Sequence, residues 1–390
     1  MLARLKFKLD NLVNDILSHI PDDVIINGVI LDLAMGGGQF VKEVERRKRI
    51  AGKTDSEIKR TVFGIESNIL RRNYAVNKHK LVGSYVVGNA LTMDFDGMKF
   101  DVVIGNPPYG MRTDSGGTLW EKFANKSFNT LVKKGGYVAL INPPSFIGKH
   151  LRKGIGKSDY TCFKKNQIEQ LHILDGVERD KYFRGIGSEI CWYVARAITP
   201  ANLTKLVGYD DGNITTSMID MNYTSVLPKV VNNTTIDIHT KLLATSKIQF
   251  IQNREIHYHS MKKKNQVSDE CSIDYQYKTY FSHTLIRFSN YKFSDYTNIK
   301  VMIPQTSTID KVFIDSNCNV SEDLFYITCS TLQQAEDIKA HLNSNLIKYI
   351  GNVYRQGRNL GSMLHAKIIP DLHYNINLTN KEIEYINANY

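Results

Sequence analysis

Two apolar runs in this chain end abruptly in residues that regular structure does not use. Ile30-Leu31-Asp32-Leu33-Ala34-Met35 runs into Gly36-Gly37-Gly38, and Val102-Val103-Ile104 runs into Gly105-Asn106-Pro107-Pro108-Tyr109. A short, β-branched run bounded by turn residues reads as a buried parallel strand. Open parallel sheets bind ligands at the carboxyl ends of their strands. The first turn, free of side chains, lets backbone N–H groups approach a nucleotide-like cofactor closely. The second offers a neutral amide, a proline carbonyl and an aromatic ring in four positions. That set suits a flat base carrying an exocyclic amine.

The first half of the chain keeps this rhythm. The patterning predicts strands at 28–33, 61–66, 84–87, 101–105, 137–142, 168–174 and 189–196. It predicts helices at 10–20, 39–49, 68–78, 119–133 and 161–167. Such alternation is that of a Rossmann-like, doubly wound α/β sheet. It stops near Thr199-Pro200, beyond which Asn, Thr, Ser and Tyr are more frequent and the elements shorter. There, two short helices are predicted at 331–342 and 344–351, and Met261-Lys262-Lys263-Lys264 reads as an exposed loop. The expected organisation is one domain at 1–200 and a mixed α+β domain at 201–390.

With 390 residues, two substantial cores can form. No apolar stretch is long enough to span a bilayer, and no apolar export signal follows the N-terminal cations, so the expected location is the cytoplasm, with no membrane partner. Cys162, Cys191, Cys271, Cys318 and Cys329 are scattered, which fits a reducing compartment and argues against a zinc site. The net charge of +11 is unevenly spread. Residues 1–200 hold 31 Lys+Arg against 21 Asp+Glu, and residues 201–390 hold 19 against 18. A polyanion lying against the first half would account for this, and so would ordinary background composition.

The strand ends carry more. Asp32 closes the first strand, and Glu66 closes Val62-Phe63-Gly64-Ile65-Glu66, where an acid can accept from two ribose hydroxyls. That ordered pair would equally suit a dinucleotide. Gly88-Asn89-Ala90-Leu91 after a third strand, then the Asn106 turn after a fourth, narrow the reading. Residues 29–196 resemble the catalytic domain of the Rossmann-like amino-methyltransferases that act on adenine in DNA. The arrangement is similar to that of restriction-modification methylases with the cofactor motif first, the catalytic motif next and the target-recognition region last. The resemblance implies S-adenosyl-L-methionine as cofactor, with Asp32, Ala34, Met35, Gly36, Gly38, Glu66, Asn89, Ala90 and Asn106 around it. The chain departs from the family in the region before Asp32, which lacks a clear copy of the usual N-terminal cofactor segment, and at two single positions. Asn89 stands where an aspartate usually faces the cofactor's adenine, and Leu33 where a proline is common.

The same resemblance assigns catalysis to Asn106, Pro107, Pro108 and Tyr109. The exocyclic amine of adenine is a poor nucleophile because its lone pair is delocalised into the ring. Two acceptors, the Asn106 side-chain carbonyl and the Pro107 backbone carbonyl, can draw on both N–H bonds and favour a more tetrahedral nitrogen. The prolines stiffen the turn, and Tyr109 can stack on the base. A base inside a duplex cannot reach such a pocket, so it must be flipped out or presented on a single strand. The family places a second stacking aromatic before the seventh strand. Phe183 matches best, with Tyr182 next, although an ordinary core role for Phe183 remains an alternative. Asn142-Pro143-Pro144-Ser145 also follows a strand but lacks the aromatic, and reads as a turn or pocket wall.

Two segments have the composition to grip a phosphate backbone. One is 110–118, with Arg112 and a Ser115-Gly116-Gly117 tip, and the other is 149–165, with Lys149, Arg152, Lys153, Lys157, Lys164 and Lys165. In the second half, Lys262, Lys263, Lys264, Tyr275, Tyr277, Arg287, Arg355, Gln356 and Arg358 are candidate contacts for target recognition. The expected activity is therefore adenine-specific N6 methylation of DNA by base flipping, with DNA as partner and a cognate restriction endonuclease as a further candidate. Methylation of an RNA adenine or of a protein glutamine amide is the alternative chemistry. A decayed subunit that binds DNA or a catalytic partner is the non-enzymatic alternative.

Overall fold

β1 (Ile30–Asp32) is the pivot of a sheet that grows outward in both directions. The computed structural model describes residues 2–110, 118–144, 146, 161–183, 190–210, 213–221, 228, 232–253, 255–304, 311–354, 368–372 and 376–389. Helices α1 (Leu2–Ser18) and α2 (Asp22–Asn27) precede the pivot. Then follow α3 (Gln39–Ile50), α4 (Asp55–Thr61), β2 (Val62–Glu66), α5 (Ile69–His79), β3 (Ser84–Val87) and β4 (Phe100–Gly105). α6 (Leu119–Lys126) leads through a π turn at Ser127–Leu131 into β5 (Val132–Asn142). The rest of the sheet comes from α7 (Thr161–Lys165), β6 (Gln167–Leu174), α8 (Gly176–Tyr182), β7 (Ile190–Arg196), β8 (Thr204–Asp210) and β9 (Asn213–Ile219).

The strand order is β3-β2-β1-β4-β5-β7-β6-β8-β9. Strands β3 to β5 run parallel, with Asp32 in register with Gly64 on one side and Ile104 on the other. The chain builds β1, β2 and β3 to one side, then returns to lay β4 and β5 on the other. This reversal opens a crevice at the carboxyl ends of β1 and β4, the place where doubly wound sheets take ligands. The central strands β1 and β4 are covered on both faces, which is why they read as near-continuous apolar runs. On one face Leu12, Ile16, Val41 and Val44 pack on Ile30, Val102, Ile104, Ala139 and Trp192. On the other, the rings of Trp120, Phe128, Phe163 and Tyr193 lie within 6.5 Å of one another in a chain of contacts.

Most of the predicted strands and helices up to residue 196 are found within a few residues, but α1 begins at Leu2, well before residue 10, the second half of the predicted 119–133 helix becomes the π turn and the start of β5, and α2 and α8 were not predicted. α4 was not anticipated, though its start is written in a capping box in which Thr54 and Glu57 satisfy each other's backbone N–H groups. The sheet does not stop at 200. β8 pairs parallel with β6 and β9 antiparallel with β8, and the first compact unit comprises Met1–Val226 and Val230–Asn233. The Thr- and Ser-containing stretch there is strand-compatible, so the change in composition marks the wetter edge of the sheet.

The second unit comprises Leu227–Lys229 and Thr234–Tyr390. It is mixed α+β. Its helices are α9 (Asn233–Ala244), α10 (Tyr258–Lys263), α11 (Leu332–Leu342), α12 (Asn345–Val353) and α13 (Asn380–Ala388). β10 (Val267–Ser268), β11 (Tyr277–Tyr280), β12 (Ile286–Ser289) and β15 (Asn319–Val320) make one sheet, and β13 (Ile299–Pro304), β14 (Phe313–Asp315) and β16 (Leu324–Cys329) a second. The lysine run is not a loop. Met261, Lys262 and Lys263 end α10, with Met261 buried and the three lysines exposed. An apolar residue facing a small core, followed by cations beside the helix carboxyl end, stabilises a helical turn that charge alone would not suggest. Among the described residues no helix is long and apolar enough to cross a membrane.

Candidate active site

The turn after β1 is held from three sides. The Ala34 N–H donates to Asp32 Oδ1 at 3.1 Å, the Met35 N–H to the Ile65 carbonyl at 2.9 Å, and the Leu33 N–H to the Ile104 carbonyl at 3.1 Å. The glycine turn is thereby pinned to both neighbouring strands. Gly38, whose N–H donates to the Met35 carbonyl at 2.7 Å, caps α3 with φ +80°. A Cβ there would be strained and would stand 3.2 Å from Ala75 Cβ, so only glycine suits the position. Met35 is buried, while Gly36 and Ala34 are half-exposed along the crevice.

Glu66 ends β2 and is buried. Its Oε1 accepts the Asn68 N–H at 2.9 Å and the Ser67 hydroxyl at 3.3 Å, which fixes the carboxylate over the start of α5. The Gly88 N–H donates to the Glu66 carbonyl at 3.0 Å and ties the end of β3 to the end of β2. Asn89 follows, exposed, with its Oδ1 accepting the Leu91 N–H at 3.0 Å; Ala90 is buried. The nine positions expected around a cofactor thus lie at the carboxyl ends of four adjacent strands, β3-β2-β1-β4.

Asp32 and Glu66 are both buried, and among the described residues neither pairs with a cation. Burial, and the negative charge of Glu66 nearby, push the Asp32 carboxyl up to about 7, against the pull of the Ala34 N–H. Among the described residues these two acids therefore have no neighbouring positive charge. A ligand carrying a sulfonium and an ammonium would supply it.

The second turn abuts the first. Gly105 ends β4 with φ +156°, and a Cβ on it would stand 3.3 Å from Asp32 Oδ1. Backbone at this point must pass directly over the carboxylate, which is why a glycine precedes Asn106. Asn106 is half-buried, Pro107 buried and Pro108 exposed. Tyr109 is half-buried against the main core cluster, and its hydroxyl donates to Asn106 Oδ1. Burial holds that phenol well above its usual range. Sequence reasoning gave Tyr109 only a ring; its hydroxyl contact was not foreseen, because nothing in a local pattern specifies a side-chain rotamer.

Phe183 is buried within the cluster against which Tyr109 packs, in the company of Ile141, Ile190 and Trp192. Its ring lies edge-on to Tyr182 at 6.3 Å, and the Tyr182 hydroxyl donates to Glu178 Oε1 at 2.8 Å. Asn142 ends β5 fully buried, with Nδ2 donating to the Pro143 carbonyl at 2.9 Å. Lys164 and Lys165 close α7. Arg112, Ser115, Gly116, Gly117, Ser145, Lys149, Arg152, Lys153 and Lys157 lie outside the described residues, as do Arg355, Gln356 and Arg358. In the second unit the Tyr275 hydroxyl donates to the Asn265 carbonyl at 2.8 Å, and Arg287 pairs with Asp269.

Residues 39–178 match the family model described as the Eco57I restriction-modification methylase. Among the curated proteins none matches the sequence. Solved structures do resemble the chain. The type IIL restriction-modification enzyme MmeI, determined in complex with DNA, is 12% identical, with a TM-score of 0.50 over 93% of this chain and 65% of its own. The type IIG restriction endonuclease BpuSI is 10% identical, with a TM-score of 0.44 over 98% of this chain and 60% of its own. The type I restriction enzyme EcoKI M protein is 16% identical, with a TM-score of 0.39 over 51% of this chain and 47% of its own. The chain therefore spans about half to two-thirds the length of these proteins. At such identities the MmeI likeness shows a shared fold.

Proposed function

From the Eco57I restriction-modification methylase domain carried by residues 39–178, we propose that this chain transfers a methyl group from S-adenosyl-L-methionine to the N6 amine of adenine in DNA. One observation carries the reading. The glycine turn after β1 and the Asn-Pro-Pro-Tyr turn after β4 meet at the switch point of the sheet, where Gly105 passes 3.3 Å, Cβ to oxygen, from Asp32. Cofactor and target amine would then share one crevice.

S-adenosyl-L-methionine supplies an activated methyl group on a sulfonium. Glu66 would accept from its ribose hydroxyls, and Asn89 and Ala90 would face its adenine. Asp32 offers a buried carboxylate to its positive charge. Asn106 Oδ1 and the Pro107 carbonyl accept from the two N–H groups of the target amine and raise its nucleophilicity without removing a proton first. The Tyr109 hydroxyl must leave Asn106 Oδ1 for this to happen, and the freed ring then stacks on the base. Positioning does most of the remaining work. Phe183 would have to swing from the core to form a second stacking wall. The second unit, with the exposed Lys262, Lys263 and Lys264, is proposed to select the target sequence, and a cognate nuclease is a candidate partner.

The test is transfer of a tritiated methyl group by the full chain to duplex DNA, to RNA and to protein, followed by nucleoside and amino-acid analysis. The label should appear as N6-methyladenine in DNA. Label in RNA or in glutamine reassigns the substrate, and cofactor binding without transfer to any of them supports a decayed subunit.

A further inference from the structure

We propose that Lys126 is a positioning residue of the cofactor site, and the inference rests on the cofactor reading above. Lys126 is the last residue of α6, the helix that follows the catalytic turn. Its Nζ donates to the Leu91 carbonyl at 3.0 Å and to the Met93 carbonyl at 2.8 Å. The same ammonium sits 5.2 Å from the centre of the Phe95 ring. One side chain thus gathers the whole turn that leads away from Asn89.

Apart from Lys126, the turn is secured mainly at its two ends, with one local bond between them from the Asp96 N–H to Asp94 Oδ1 at 3.0 Å. At the near end the Thr92 and Met93 N–H groups donate to the Asn89 carbonyl at 3.1 and 2.9 Å, and Asn89 Oδ1 accepts the Leu91 N–H. At the far end Phe95 lies edge-on to Phe100 at 5.8 Å, and Phe100 lies edge-on to Phe63 at 5.8 Å. Between them Thr92 and Asp94 are exposed, and Leu91 and Met93 only half-buried. An exposed turn contributes little to the core, so a half-buried cation spent on its carbonyls does little for the fold. It does fix Asn89 and Ala90, the residues at the adenine side of the cofactor.

The chemistry suits the task. The last carbonyls of a short turn have no backbone partners, and an ammonium satisfies two at once. Burial lowers the lysine's proton affinity, and the charge of Asp94 nearby partly restores it. The contact also ties α6, which is no part of the sheet, directly to the turn after β3. Asn89 follows β3, at one edge of the sheet, while α6 follows β4 in the chain, and β4 lies three strands in from β3. Through Lys126, the position of the helix after Asn106 sets the position of the turn after Asn89.

Calorimetry of S-adenosyl-L-methionine binding to the full chain, combined with amide hydrogen exchange, tests this. Lys126→Met keeps the length and removes the charge. It should weaken cofactor binding about tenfold and accelerate exchange at Thr92 and Met93, while the thermal midpoint moves by only about 2 °C. Lys126→Arg, whose fork also reaches two carbonyls, should bind within about threefold of the parent. A Lys126→Met protein with parental affinity overturns the inference, as does equal loss of affinity in both variants. If the methionine variant does not fold, the arginine variant and Lys126→Gln decide the matter by the same two readouts. If the parent itself binds no S-adenosyl-L-methionine, the cofactor reading fails first, and the inference with it.

Discussion

The Tyr109 hydroxyl donates to the side-chain carbonyl of Asn106, three residues earlier in the same turn. The acceptor assigned to the target amine is thus satisfied internally by the residue assigned to stack on the target. The two roles exclude each other in this arrangement, so base entry must exchange one hydrogen bond for another. The exchange is close to neutral in energy, because a donor replaces a donor.

Tyr109→Phe keeps the ring and removes the competing donor. We expect it to retain turnover and to lower the KM for DNA by about twofold to tenfold, since about 1 kcal/mol of internal hydrogen bonding no longer has to be broken. Tyr109→Ala should lose most activity. Steady-state kinetics on a duplex substrate distinguish these outcomes, and a phenylalanine variant as inactive as the alanine variant would assign the hydroxyl an essential role instead.

Asn106→Ala should nearly abolish methyl transfer. Loss of a hydrogen bond that strengthens in the transition state costs about 3 kcal/mol or more, a factor of at least about a hundred in kcat. Cofactor affinity should stay within about threefold, measured by calorimetry. Near-normal turnover would remove Asn106 from the mechanism.

Glu66→Ala should do the opposite. The carboxylate already holds the Asn68 N–H at 2.9 Å, and its remaining oxygen is the one offered to a ribose. Cofactor affinity should fall by about tenfold or more, equivalent to about 1.4 kcal/mol, and KM for the cofactor should rise in step. Unchanged affinity would mean that the ribose lies elsewhere.

Asp32 makes the site sensitive to pH. Its carboxyl is pushed up to about 7 by burial and by Glu66, from a reference of 3.8. Between these values the unfolded chain has released a proton that the folded chain keeps. Stability should therefore fall as pH rises from about 4 to about 7, and this contribution should be level above that. A cationic cofactor favours the carboxylate, so binding should release a proton below about pH 7 and tighten as pH rises towards it. Calorimetry in two buffers of different ionisation heat reads the proton directly. Affinity that is flat from about pH 5.5 to about pH 7.5, or that Asp32→Asn leaves just as pH-dependent, counts against the assignment.

Glu45 tests the fold independently of the chemistry. It is fully buried in α3, and its Oε1 accepts the Val82 and Gly83 N–H groups at 2.9 and 2.8 Å and the Tyr85 hydroxyl at 2.5 Å. Its Oε2 pairs with Arg49 at 2.8 Å. Glu45→Ala should destabilise the first unit by about 3 kcal/mol, because the buried Tyr85 hydroxyl and two half-buried backbone N–H groups lose their partner. Denaturant unfolding measures it, and a loss below about 1 kcal/mol would show that water replaces the carboxylate.

What the sequence determined by itself was local. Apolar runs that stop at glycine or proline marked β1 and β4, and the residues at those stops are the ones proposed for the site, because strand period and turn chemistry are properties of a few consecutive residues. The capping box of Thr54 and Glu57 is equally local, although the start of α4 was not anticipated from it. Tertiary structure decided what depends on partners distant in the chain. It continued the sheet through β8 and β9, since an edge strand is defined by the strand it pairs with and not by its own composition. It turned Glu45 inward against residues 82–85, set Lys126 beneath the carbonyls of Leu91 and Met93, and brought Gly105 against Asp32 across 73 positions of sequence. Such contacts are long-range choices among rotamers and packings, and no pattern within either segment encodes them.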